Sequence, residues 1–136
     1  MISALTVLAM SALLQANAYP RVLDKGDQSN MDDRRETVAR TAAEWSALWR
    51  LHAPDRPQPR VDFAREMVAA VFLGSRPTAG FAIDIVGTKE EAGVLVVQYR
   101  ETQPGKGLLS AQVITSAYAM VALPRRDSAV RFAKVE

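Results

Sequence analysis

A chain of 136 residues, 49% apolar and 24% charged, has the length of one domain and the composition to build one core. It carries no cysteine and a single histidine, His52, which excludes disulfides, thiolate zinc sites, thiol nucleophiles, a lipidated cysteine and a multi-histidine metal cage within one chain. Seventeen basic against fifteen acidic residues leave a net charge of +2, and the pairs Arg34-Arg35 and Arg125-Arg126 adjoin aspartates, so no basic stripe for nucleic acid stands out.

Thirteen of the first eighteen residues are apolar. The run from Ile2 to Leu14 is shorter than the roughly 20 residues that cross a bilayer, and Ala16-Asn17-Ala18 supplies a small-x-small cleavage pattern. No lysine or arginine precedes the run. We read 1–18 as an export signal removed after Ala18, leaving one domain, 19–136, in the periplasm or medium with no membrane anchor.

Tyr19–Asp24 reads as a short strand, Lys25–Asp33 as a flexible turn and Glu36–Arg40 as a second strand. Thr41-Ala42-Ala43-Glu44 is a capping box that opens a helix. Trp45, Leu48, Trp49 and His52 follow at i, i+3, i+4 and i+7, one apolar stripe, and Pro54 ends it. The tryptophans are expected to anchor this helix on a sheet, with His52 near its last carbonyls.

From Met67 the period changes. Val68–Leu73 is apolar without alternation, as in a strand buried on both faces. Gly74–Gly80 reads as a seven-residue loop, and Phe81, Ile83 and Ile85 alternate as in a strand. Glu90–Gly93 predicts a hairpin turn into Val94–Glu101, and Pro104–Gly107 a further loop. Ala111–Thr115, Tyr118–Leu123 and Val130–Val135 complete the strands. Short links favour antiparallel pairing, and one helix cannot cover both faces of a large sheet. The expected class is α+β: a curled, mostly antiparallel sheet of about seven strands, half-barrel or sandwich-like, with one amphipathic helix packed on it.

The chemistry is sparse. A serine hydrolase needs a base beside its nucleophile; His52 is the one conventional base, and neither a Gly-x-Ser-x-Gly elbow nor a Ser-x-x-Lys pair occurs. Asp62 and Glu66 lie four apart, but Arg60 and Arg65 beside them suggest a solvated charge cluster rather than the two carboxyls of a glycosidase cleft. Asp24, Asp27, Asp32 and Asp33 miss the calcium-loop pattern, with Gly26 third and Met31 eighth. Gly74–Gly80 lacks the Lys-Ser/Thr of a phosphate loop and leads into a strand. No metal, cofactor or catalytic group is expected. What remains is a polar loop stiffened by Pro77 that presents Arg76 and Thr78 at a sheet end, a plausible recognition element or a plain connection.

Glu44–Trp49, the run Val61–Gly74 and Arg76–Ile83 together resemble the C-terminal domain of PrcB-type protease complex subunits. In that family a tryptophan helix leads to a core of the form VDF…MV…FLG…PT.GY.I, then a hydrophobic strand and a threonine-proline-aromatic step. Val94–Tyr99 and Thr115–Tyr118 take the last two places, and the resemblance spans about 36–132. Phe81 stands where tyrosine is usual and Ala117 where proline is usual. The resemblance implies an accessory role at a protease complex and supplies no catalytic residues.

The reading is an exported, non-catalytic protein-binding module that associates with another envelope or secreted protein, a protease among the candidates. Gly74, Ser75, Arg76, Pro77, Thr78, Ala79 and Gly80 are the expected contact residues. One alternative is a protease inhibitor presenting Gly74–Gly80 or Pro104–Gly107; another is an envelope-polymer hydrolase using Asp62 or Glu66.

Overall fold

The computed structural model describes residues 19–106 and 110–136. The proposed signal, 1–18, lies outside the described residues. The elements are β1 (Arg21–Gly26), β2 (Arg35–Ala39), α1 (Ala42–His52), β3 (Glu66–Arg76), β4 (Ala82–Glu91), β5 (Val94–Thr102), β6 (Thr115–Pro124) and β7 (Val130–Val135).

The strands form two sheets, ordered β1-β6-β3-β2 and β4-β5-β7. All pairings are antiparallel except β5 with β7. Between those two the chain crosses to the first sheet as β6 and returns. The architecture is the expected α+β class, with the sandwich-like form realised and no closed barrel.

The first sheet is the middle layer, which explains the unbroken apolar runs. Along β3, Val68, Ala70 and Phe72 pack with Trp45, Leu48 and Trp49 of α1. The intervening Met67 and Ala69, then Val71 and Leu73, face β4, β5 and β7. β6 divides the same way, Tyr118 and Met120 toward the helix and Ala117, Ala119, Val121 and Leu123 toward the second sheet. A strand covered on both sides has no polar face to show.

The helix starts where its capping box says. Thr41 Oγ1 accepts from the Glu44 amide at 3.1 Å, while the Glu44 carboxylate accepts from the Arg40 amide, one residue before the cap, at 2.8 Å. Trp45 and Trp49 are buried and meet edge to face, with ring centroids 5.5 Å apart. Their indole N–H groups donate to the Pro59 and Arg56 carbonyls at 3.0 and 2.8 Å, which ties the segment after the helix back onto it.

Three boundaries differ from expectation. β3 continues through Arg76, because Gly74 at φ +85° accommodates a bulge opposite Ala117 and the ladder resumes beyond it. Hence Gly74, Ser75 and Arg76 belong to a strand, and the connecting loop is shorter than seven residues. Ala111–Ile114 is exposed coil, and β6 begins only at Thr115. The stretch Lys25–Asp33 is strand through Gly26 and then a pinned loop. The β4–β5 turn is as expected: Ala92 and Gly93 both take positive φ, 51° and 80°, the requirement of a tight two-residue hairpin.

Candidate functional site

Three loops meet at the end of the first sheet where β3 stops and β6 starts. They are 27–34 between β1 and β2, 77–81 between β3 and β4, and 103–114 between β5 and β6, of which 107–109 lie outside the described residues. The Gly74–Gly80 contact segment predicted from sequence lies in the middle of them.

Each loop is held by backbone bonds to its neighbours. Ser116 anchors the first: its amide donates to the Asp27 carbonyl at 2.8 Å, its carbonyl accepts from the Ser29 amide at 3.1 Å, and its hydroxyl donates to the Met31 carbonyl at 2.6 Å. Ser75 joins β3 to that loop, donating from its amide and hydroxyl to Asp32 at 2.9 and 3.0 Å. A Cβ on Gly74 would lie 2.9 Å from the Arg34 nitrogen and the Asp32 carbonyl oxygen, so glycine permits this close approach. Thr115 Oγ1 donates to the Thr78 carbonyl at 2.8 Å, and the Ala79 amide donates to the Ala111 carbonyl at 3.0 Å. Arg76 stacks its guanidinium over the Phe81 ring, 5.8 Å from the centroid.

The outer surface of this end is mixed. Ser75, Pro77 and Gly80 are exposed, Arg76, Thr78 and Ala79 half-buried. Beside them Val113 and Ile114 stand out apolar, Ile114 at 71% exposure. A fixed backbone with protruding proline and aliphatic groups suits contact with another macromolecule better than enclosure of a small molecule.

Beneath the first loop lies a cluster that sequence spacing could not show. Ser29 Oγ lies 2.8 Å from His52 Nδ1, and His52 Nε2 lies 2.8 Å from Asp24 Oδ2. Arg56 Nη2 donates to the same Asp24 oxygen at 2.6 Å and to Tyr118 Oη at 3.1 Å. His52 therefore does not sit with its ring on the last helix turn, as expected; it points inward. Its ring packs among Trp49, Phe72 and Tyr118, at centroid distances of 5.0, 5.7 and 4.2 Å. Its backbone carbonyl accepts from the Asn30 amide at 2.9 Å.

Burial pushes the His52 pKa down, against the pull of Asp24, so the imidazole is neutral near pH 7. Burial opposes the charge on Asp24, but bonds from Arg56, His52 and Tyr118 outweigh it and hold its carboxyl below the usual range. With Asp24 ionised and acceptor-only, Nε2 carries the proton and Nδ1 accepts from the Ser29 hydroxyl.

The order serine–histidine–aspartate is that of a hydrolytic triad, but the geometry is that of a clamp. His52 is 0% exposed and Ser29 9%. Ser29 Oγ also accepts the Met31 amide at 3.0 Å, and the ring nitrogens are used in the reverse sense to the hydrolase arrangement. What the cluster does in this arrangement is fasten the 27–34 loop and β1 to the C-terminus of α1.

Asp62 and Glu66 stand on the turn into β3. Glu66 is buried and accepts from Arg21 at 2.8 and 2.9 Å, from Tyr19 Oη at 2.7 Å and from the Asp62 amide at 3.1 Å. Burial disfavours its charge, yet these donors prevail and lower its pKa. Asp62 is exposed and accepts from the Ala64 amide at 3.1 Å, with Arg65 3.9 Å away. Both line a surface hollow of about 450 Å³ with Arg60 and Val61, Glu66 engaged by its donors and Asp62 holding the turn. Among the described residues no group of three or more His, Asp or Glu could hold a metal ion, and no helix is long and apolar enough to cross a membrane.

Comparison with protein families finds a match to PrcB C-terminal over residues 67–124, from the start of β3 to the end of β6. That span carries the middle strands and the central loop of the candidate surface. No curated protein and no solved structure matches the chain.

Proposed function

From the assignment of the chain to the PrcB C-terminal domain family, which suggests an accessory role at a protease complex, we propose an exported, non-catalytic subunit that binds its partner through the three-loop end. The observation that carries the reading is the pinned Gly74–Gly80 segment with Pro77 exposed beside Val113 and Ile114. A rigid, partly apolar surface loses little conformational entropy on binding and gains by desolvation. Export is proposed from the 1–18 pattern, and mass measurement of the protein from the periplasm or medium would show a first residue at Tyr19.

The test is site-directed photo-cross-linking from position 77 or 114 in the native cell envelope, with position 90 on the β4–β5 hairpin as control. The reading expects an adduct with a protease or a component of its complex from 77 and 114 and not from 90. Absence of adducts at all three positions, or equal yield from 90, overturns it. Stoichiometric loss of protease activity on adding the purified chain would convert the reading to an inhibitor.

A further inference from the structure

We propose that the free edge of β2, with the groove between it and α1, takes an extended segment of a partner protein by strand addition, and that this segment carries an acidic side chain level with Arg35. The proposal rests on the binding-module reading but concerns a surface separate from the three-loop end.

Among the described residues there are four edge strands, and they are not alike. β1 and β4 each carry a bulge and are bridged by Lys25 and Asp84, β7 bears Arg131 and Lys134, and β2 bears Arg35 and Glu36. Bulges and charges are the usual ways of blunting an edge. What sets β2 apart is the groove beside it: it pairs with β3 in unbroken register, and among the described residues no strand lies on its other side. One row of its backbone N–H and C=O groups therefore faces outward.

Beside that row lies a groove of about 270 Å³, lined among others by Arg35, Thr37, Ala39, Ala47, Leu48 and Leu51. It is below the range of drug-sized pockets, roughly 300–1,000 Å³, and suits two side chains of an extended chain. Leu51 is 54% exposed at its rim, one helical turn on from Ala47.

The register fixes which side chains a visitor would meet. Arg35, Thr37 and Ala39 pair with Phe72, Ala70 and Val68, all on the helix side of the sheet. Arg35 is exposed and has no acidic partner within 4.0 Å among the described residues. On an added strand, residues opposite these three share their face, with Cβ atoms about 5 Å away. The complementary pattern has period two: a carboxylate opposite Arg35, then small or β-branched residues opposite Thr37 and Ala39, along a wall of Ala47 and Leu48 that ends at Glu44. A terminal carboxylate would lie in the backbone line instead of on that face, so the side-chain source is the one that fits.

The experiment uses two labelled decapeptide panels, both alternating valine or threonine with serine, one with a glutamate at the end of the apolar series and one with lysine there. The proposal expects saturable binding of the glutamate panel to the full chain. It expects roughly fivefold weakening with Arg35→Glu, the upper end for one exposed cross-strand pair, and recovery of affinity when Arg35→Glu meets the lysine panel. Leu51→Asp, at an exposed position, should weaken both. Chemical-shift changes should fall on 35–39 and 47–51. No binding by either panel, or binding indifferent to both substitutions, overturns the proposal. Peptide failure alongside protease cross-links from 77 and 114 would remove this groove and leave the accessory reading intact.

Discussion

Ser29 and His52, 23 positions apart in the chain, meet at 2.8 Å, hydroxyl to Nδ1, beneath the surface of the loop that follows β1. The same imidazole reaches Asp24 at 2.8 Å, so one side chain joins the loop, the helix end and β1. The trio fastens these three elements together. Ser29→Ala should then destabilise the fold by about 1–2 kcal/mol, the cost of leaving buried polar partners unsatisfied, as read from a denaturant midpoint. A fluorophosphonate probe should leave Ser29 unlabelled; stoichiometric labelling abolished by Ser29→Ala would mean the serine is a nucleophile.

The pH dependence follows from the direction of two shifts. His52 has a folded pKa below its ordinary value near 6.5. The stability gained from keeping it neutral is present above that value and is lost as pH falls below it, because the unfolded chain takes up the proton first. Asp24, also lowered, contributes stability that is lost only further into acid, below about 4. With one histidine in the chain, its imidazole proton resonance gives the titration directly. The midpoint should lie below 6.5, and unfolding free energy should begin to fall near 6.5 and level off at that midpoint. A midpoint above 6.5 would mean the charged form is the one the fold prefers.

Gly74 tests the loop end without touching its exposed groups. Gly74→Ala places a Cβ at positive φ against the 32–34 backbone. The left-handed conformation alone costs roughly 1–2 kcal/mol, and the contact adds to it. A loss of about 2 kcal/mol or more in thermal or denaturant unfolding is expected. The same change at Gly93, which has positive φ but open space around it, should cost less.

Trp49 reports on the helix–sheet contact. Trp49→Ala removes a buried ring, its bond to Arg56 and its edge contact with His52. Destabilisation of about 3–5 kcal/mol is expected, enough to unfold a domain of ordinary stability. Near-native melting would place the core elsewhere.

The legible parts of this fold were those written in local pattern. The capping box and the Trp45–His52 stripe marked the helix, the unbroken run at Val68–Leu73 marked the doubly covered strand, and Glu90–Gly93 marked the hairpin. Other features depend on distant partners. Gly74 reads locally as a loop residue, yet it is a bulge because β6 pairs on both sides of it. Ala111–Ile114 has strand-forming residues but, among the described residues, no neighbouring strand to bond. His52 carried a stripe position and nothing more in the sequence, since Ser29, Asp24 and Tyr118 reach it only through the sheet order. The period-two match of β2 to a groove is hidden for the same reason: an edge is defined by what fails to pair with it.

The most direct measurement is the composition of the native assembly that contains this chain, isolated without denaturant from its own envelope or medium. The account predicts a complex in which the chain accompanies a protease component and is released when residues 77–80 are scrambled in a variant that melts normally. Recovery of the chain alone, at the mass of a single copy and with no protease component under any mild extraction, would contradict it.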